Sequence, residues 1–148
     1  MKPLFLFFSL LFCSLAFAQS AKVDLAKETT SAERKAMLEA LKMKLQPSLR
    51  LKPKMVVEHL WVKSNFAFFR GAAKDANGRD IDFSKTEYKQ ALEDGAFDGE
   101  STFALLKKVS GKWKVLAWAL GPTDVPYTCW WSEFKAPKDI FDHTDNCR

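Results

Sequence analysis

The stretch "STFALLKKVSGKWKVLAWAL", residues 101–120, decides the fold. Ser110-Gly111 is a tight-turn signal between two runs of strand formers, 101–109 and 112–120, so the pair reads as a hairpin. Alternation in the first run sets Phe103, Leu105 and Lys107 against Thr102, Ala104 and Leu106. In the second it sets Trp113, Val115, Ala117 and Ala119 against Lys114, Leu116, Trp118 and Leu120. Apolar groups stand on both faces. A sheet built on this hairpin therefore needs cover twice: a helix on one face, and a flap or a partner on the other.

The helix is upstream. In "TSAERKAMLEALKMKLQP", Thr30 and Glu33 have the spacing of a capping box. Met37, Leu38, Leu41 and Leu45 recur on one face, and Pro47 is a stop signal, so an amphipathic helix is expected over 31–46. "KMVVEHLWVK" (54–63) and "FAFFRGAAK" (66–74) read as two more strands around a Lys63-Ser64-Asn65 turn. In the first of these, Met55, Val57, His59 and Trp61 share one face. Asn77-Gly78 is a further hairpin signal and predicts a return strand through "RDIDF", 79–83. Tyr88, Ala91 and Leu92 suggest one short helix or two turns, with Gly95 as the C-cap.

The cover for the second face is expected from "GPTDVPYTCWWSEF", 121–134. Pro122 and Pro126 remove two backbone donors, and Thr123 and Asp124 satisfy local backbone groups. Tyr127, Trp130 and Trp131 then lie across the sheet, with one tryptophan packed down and the other outward. Cys129 and Cys147 are expected to form a disulfide that ties the tail to this flap.

The first residues, "MKPLFLFFSLLFCSLAFAQS", have one cation, Lys2, then an apolar run, then Ala16-Phe17-Ala18. This is the pattern of a secretory signal peptide cleaved after Ala18. Phe12 before Cys13 is too large for a lipoprotein signal. The run is shorter than a comfortable span of roughly 20 residues, and no later segment is apolar enough, so no membrane span is expected in the mature chain. The expected address is the periplasm, where two cysteines pair readily. The organisation follows as a signal peptide over 1–18, a flexible polar leader over 19–29 and a single domain over 30–148. The net charge of +5 comes from dispersed lysines and arginines, and with export it points away from nucleic acid.

The fold class expected is α+β: an N-terminal amphipathic helix on a curved antiparallel sheet of about four main strands, with a disulfide-tied C-terminal flap. Several features resemble a family of small exported proteobacterial proteins without an assigned activity. They are Asn77-Gly78-Arg79 before "IDF", Phe97-Asp98-Gly99, Gly111-x-Trp113, and Gly121-Pro122-Thr123-Asp124-Val125-Pro126. The order of elements is also similar to the cystatin-like and NTF2-like group, in which a curved sheet wraps a helix. The inhibitory loop of cystatins is absent, since the first hairpin turn reads "KSNF".

No nucleophile, dinucleotide, phosphate-loop or metal motif occurs, and no cofactor is expected. His59 and His143 have no metal-ligand spacing. The expected function is a non-catalytic binding or interaction domain, whose partner is an envelope protein or a small apolar ligand. Trp118, Asp124, Tyr127, Trp130 and Trp131 are its candidate binding residues. The rival is a small NTF2-like enzyme with Asp82 or Asp98 as a pocket acid/base beside Arg70 or Tyr127. A closed pocket holding an ionisable group would favour the enzyme.

Overall fold

The computed structural model describes residues 20–147. The expected signal peptide over 1–18, Cys13 and the junction at Gln19 lie outside the described residues. Five strands form one antiparallel sheet in chain order: β1 (Val23–Asp24), β2 (Lys54–Lys63), β3 (Phe66–Lys74), β4 (Ser101–Val109) and β5 (Lys112–Leu120). The helices are α1 (Ala32–Leu49), α2 (Lys89–Glu93) and α3 (Trp130–Glu133). The α+β class is as the sequence implies, with two corrections. The sheet has five strands rather than four, and α1 is not the first element. Within the segment read as a flexible leader, Val23 and Asp24 pair with Val62 and Trp61, and Leu25 packs on the core. Two residues of strand are too short to show a period in sequence.

Helix α1 begins one residue later than the capping box implies. Ser31 is the cap, its hydroxyl accepting from the Arg34 N–H at 3.2 Å, while Glu33 pairs instead with Lys108 on β4. The helix also runs past Pro47 to Leu49. Leu49 continues the stripe of Met37, Leu38, Leu41 and Leu45, and its burial outweighs the bond that proline removes. Arg50, in the left-handed region at φ 56°, ends it.

The two faces of the sheet carry separate cores. On the α1 side lie Leu60, Ala67, Phe69, Ala104, Leu106 and Leu120. On the other side lie Phe66, Phe68 and Leu105, covered by Tyr127, Trp130, Ile140 and Phe141 from the C-terminal segment. Strict alternation fails twice. The register shifts at Glu58 in β2 and at Leu116 in β5, where one extra residue stands in the ladder. Each bulge swaps the faces beyond it. Met55 and Val57 are followed on the helix side by Leu60 and Val62, while His59 and Trp61 turn to the flap side. In β5, Trp113 and Val115 are followed on the helix side by Trp118 and Leu120.

The return strand through 79–83 does not form. The free edge of β3 is taken by β4, which pairs along it from Phe66↔Lys107 to Ala72↔Ser101. Asp75 closes the Asn77-Gly78 turn by accepting from the Asn77 and Arg79 N–H groups at 2.8 and 2.9 Å. The chain then drops Ile81 and Phe83 into the helix-side core, where Phe83, Tyr88 and Phe97 pack ring to ring. Gly95, at φ 69° just beyond the cap of α2, closes that helix as expected.

Candidate functional site

The flap is built from its ring packing outward. Tyr127 is 4% exposed, and its ring lies 4.8 Å from Phe68, 5.0 Å from Phe103 and 6.2 Å from Trp130, between centroids. A phenol so placed needs an acceptor. Tyr127 Oη donates to Asp142 Oδ1 at 2.6 Å, and Arg70 Nη1 donates to the other oxygen of the same carboxylate. Arg70 Nε donates onward to Glu58 Oε2 at 3.0 Å, at the bulge of β2. The chain Tyr127–Asp142–Arg70–Glu58 thus pins the tail to the sheet. Burial would raise the Asp142 carboxyl, but the bonds from Tyr127 and Arg70 outweigh it and hold it below the ordinary carboxylate range. Burial first, and then the Asp142 carboxylate, push the Tyr127 phenol above its usual value.

Cys129 and Cys147 form the expected disulfide, with Cα atoms 5.6 Å apart. Trp130 is 8% exposed and belongs to the flap core. Trp131 is half-buried at its margin, with Lys138 Nζ 4.6 Å from the ring centroid. The flap is not extended throughout, because Trp130–Glu133 form one helical turn, α3. That turn lets the adjacent tryptophans point in different directions.

Of the five candidate binding residues, the structure brings together Tyr127, Trp130 and Trp131. Trp118 lies on the opposite face, partly buried against the α1 core, because the Leu116 bulge has swapped its side. Asp124 is exposed and, among the described residues, accepts only from the Val125 N–H, at 2.7 Å. Neither candidate acid/base sits in a closed pocket. The Asp82 side chain is 54% exposed. It accepts from Lys85 at 2.8 Å and from the Ser84 hydroxyl at 2.5 Å, and the Lys85 contact leads in lowering its pKa. Asp98 is exposed, and its backbone N–H donates to the Gly121 carbonyl at 2.7 Å.

Two concave features lie elsewhere, one between α1 and β5 and one at the C-terminal end of α1. One open groove is lined by Ala40, Met43 and Lys44 from the helix and by Trp113, Lys114 and Val115 from the strand. A second depression at Gln46, Pro47 and Arg50 shares Met43 with it. Met43 is 70% exposed. Sequence reading missed this groove because Met43 falls off the buried stripe of α1 and reads as a solvated position.

Among the described residues, no helix is long and apolar enough to cross a membrane, and no cluster of three potential metal ligands occurs. The fold and these surfaces define a small α+β domain with both sheet faces filled. No family model, curated protein or solved structure matches the chain.

Proposed function

We propose that this protein is an exported, non-catalytic interaction domain that engages its partner on its outer surface, consistent with the resemblance to small exported proteobacterial proteins and a cystatin-like architecture. One observation carries the reading. Both sheet faces are filled by the chain's own side chains, and the carboxylates suited to base catalysis stand in solvent. A catalytic carboxylate needs a site that shields it and tunes its pKa. Asp82 is shifted the wrong way for a base working near neutrality, since Lys85 lowers its pKa. The signal-like residues 1–18 and the Cys129–Cys147 bridge support export to an oxidising compartment.

The test is in-cell cross-linking in the native envelope, followed by mass spectrometry of the adducts. A recurrent adduct with one envelope protein, retained in Asp82→Asn and Asp98→Asn, is the expected result. A small-molecule turnover by the purified protein that both substitutions abolish would overturn the reading in favour of an enzyme.

A further inference from the structure

We infer that the groove between α1 and the outer edge of β5 accepts an extended acidic polypeptide segment, which adds to the sheet as a sixth strand. The inference rests on the interaction-domain reading and names the partner chemistry it would serve.

β5 is an edge. It pairs with β4 alone, and no other described segment bonds to its far side. The two-residue turn at Ser110 (φ 50°) and Gly111 (φ 77°) makes Val109 and Lys112 a hydrogen-bonded pair. Alternation from that pair aims the backbone N–H and C=O of Trp113 and Val115 away from β4. These are the groups an added strand would use. Trp113 and Val115 also line the groove, opposite Ala40 and Met43, so a segment on that edge would lie beside an apolar helix surface. The Trp113 indole N–H is buried and has no acceptor among the described residues.

Charge selects the occupant. Lys107 and Lys114 stand directly opposite each other in the β4–β5 ladder. Like charges so placed repel. Neither of them, nor Lys44, nor Lys112, has a carboxylate within ion-pair distance among the described residues, whereas nearby Lys108 is paired with Glu33. Edge lysines are a common guard against edge-to-edge association. A second copy of this chain would bring lysine against lysine. An acidic segment would instead meet unpaired cations on both sides of this edge, Lys44 on α1 beside the groove and Lys114 on β5, whose side chain alternation turns to the face away from α1.

The test uses a defined probe, an acetylated and amidated hexapeptide alternating glutamate with valine. Two controls accompany it: the same peptide N-methylated at alternate residues, and the same peptide with lysine in place of glutamate. The expected result is slowed hydrogen exchange at the Trp113 and Val115 amides on binding the acidic peptide, with affinity falling as salt rises. N-methylation should abolish binding, because it removes main-chain donors while keeping the charge. Lys114→Glu, at an exposed position, should weaken binding at least tenfold without lowering the unfolding midpoint, because it also relieves the repulsion with Lys107. Binding that survives N-methylation and leaves the β5 amides unprotected would overturn the inference as mere charge attraction. No binding at millimolar peptide, or a dimer of the free protein that protects the same amides, would overturn it too. An envelope adduct mapped to the flap, with the β5 amides unchanged, would defeat this inference while leaving the interaction-domain reading standing.

Discussion

Tyr127 and Asp142 bind each other in one protonation state, so their contact has a pH window with two ends. The Asp142 pKa is depressed in the fold. Its contribution is present above the unfolded carboxylate value of about 3.9 and fades as pH falls through the lower folded value. The Tyr127 pKa is raised. Its contribution is present below the unfolded phenol value of about 10 and is lost as pH rises through the higher folded value. Tyr127→Phe keeps the ring packing and the Arg70 contact but removes the hydroxyl donor. We expect it to cost about 1.5–3 kcal/mol at neutral pH, as for a hydrogen bond to a charged acceptor. It should also flatten the alkaline limb of the stability profile above pH ~10. Urea unfolding at several pH values measures both, and an unchanged alkaline limb in the variant would remove the hydrogen bond from the account. The sequence showed Tyr127 as a flap residue. It did not show the acceptor, because Asp142 lies 15 residues on, in a polar tail with no period.

The bulges mark what could be read at the level of elements and what could not. All four long strands stand where the hydrophobic runs place them, since length and strand-former content suffice for that. The faces do not follow, because a bulge at Glu58 or Leu116 inserts one residue and leaves no mark in composition. Strict alternation sets Trp118 and Leu120 opposite Trp113 and Val115, and the bulge at Leu116 puts all four on one face. One residue near a bulge is legible afterwards: a Cβ on Gly71 would sit 2.0 Å from the Val56 carbonyl oxygen. Gly71→Ala must push β2 and β3 apart just before Glu58, so we expect a loss of about 1–3 kcal/mol, as for overpacking. Exchange should quicken first in the β2–β3 amides. Thermal melts that match the parent would show that the ladder relaxes there without cost. The flap makes a second contrast. Trp130→Ala opens a cavity in the flap core and should cost about 3–5 kcal/mol. Trp131, half-buried at the margin, should cost about 1 kcal/mol when truncated. Similar losses at both positions would place Trp131 in the core as well.

Across the whole molecule, two cores share one sheet, so the flap is half of the fold rather than an appendage. Phe68 and Leu105 are fully buried only because Tyr127, Ile140 and Phe141 cover them. The Cys129–Cys147 bridge closes the loop that carries Ile140 and Phe141, with Tyr127 just before it. Its separation of 18 residues predicts stabilisation of about 3 kcal/mol through the unfolded chain. Other contacts hold the flap beside it: Asp142 is bonded to Arg70 and Tyr127, Asp139 is paired with Lys63 at 2.7 Å, and Ile140 is fully buried. We therefore expect Cys129→Ser with Cys147→Ser to keep far-UV circular dichroism near that of the parent. It should lower the urea midpoint and somewhat steepen the transition, because the unfolded chain without the bridge is less compact and exposes more surface. Tryptophan fluorescence, to which Trp130 and Trp131 of the flap contribute among five tryptophans, should move together with the dichroism as one transition. If fluorescence moves first, the flap unfolds before the sheet, and the bridge joins two units of separate stability.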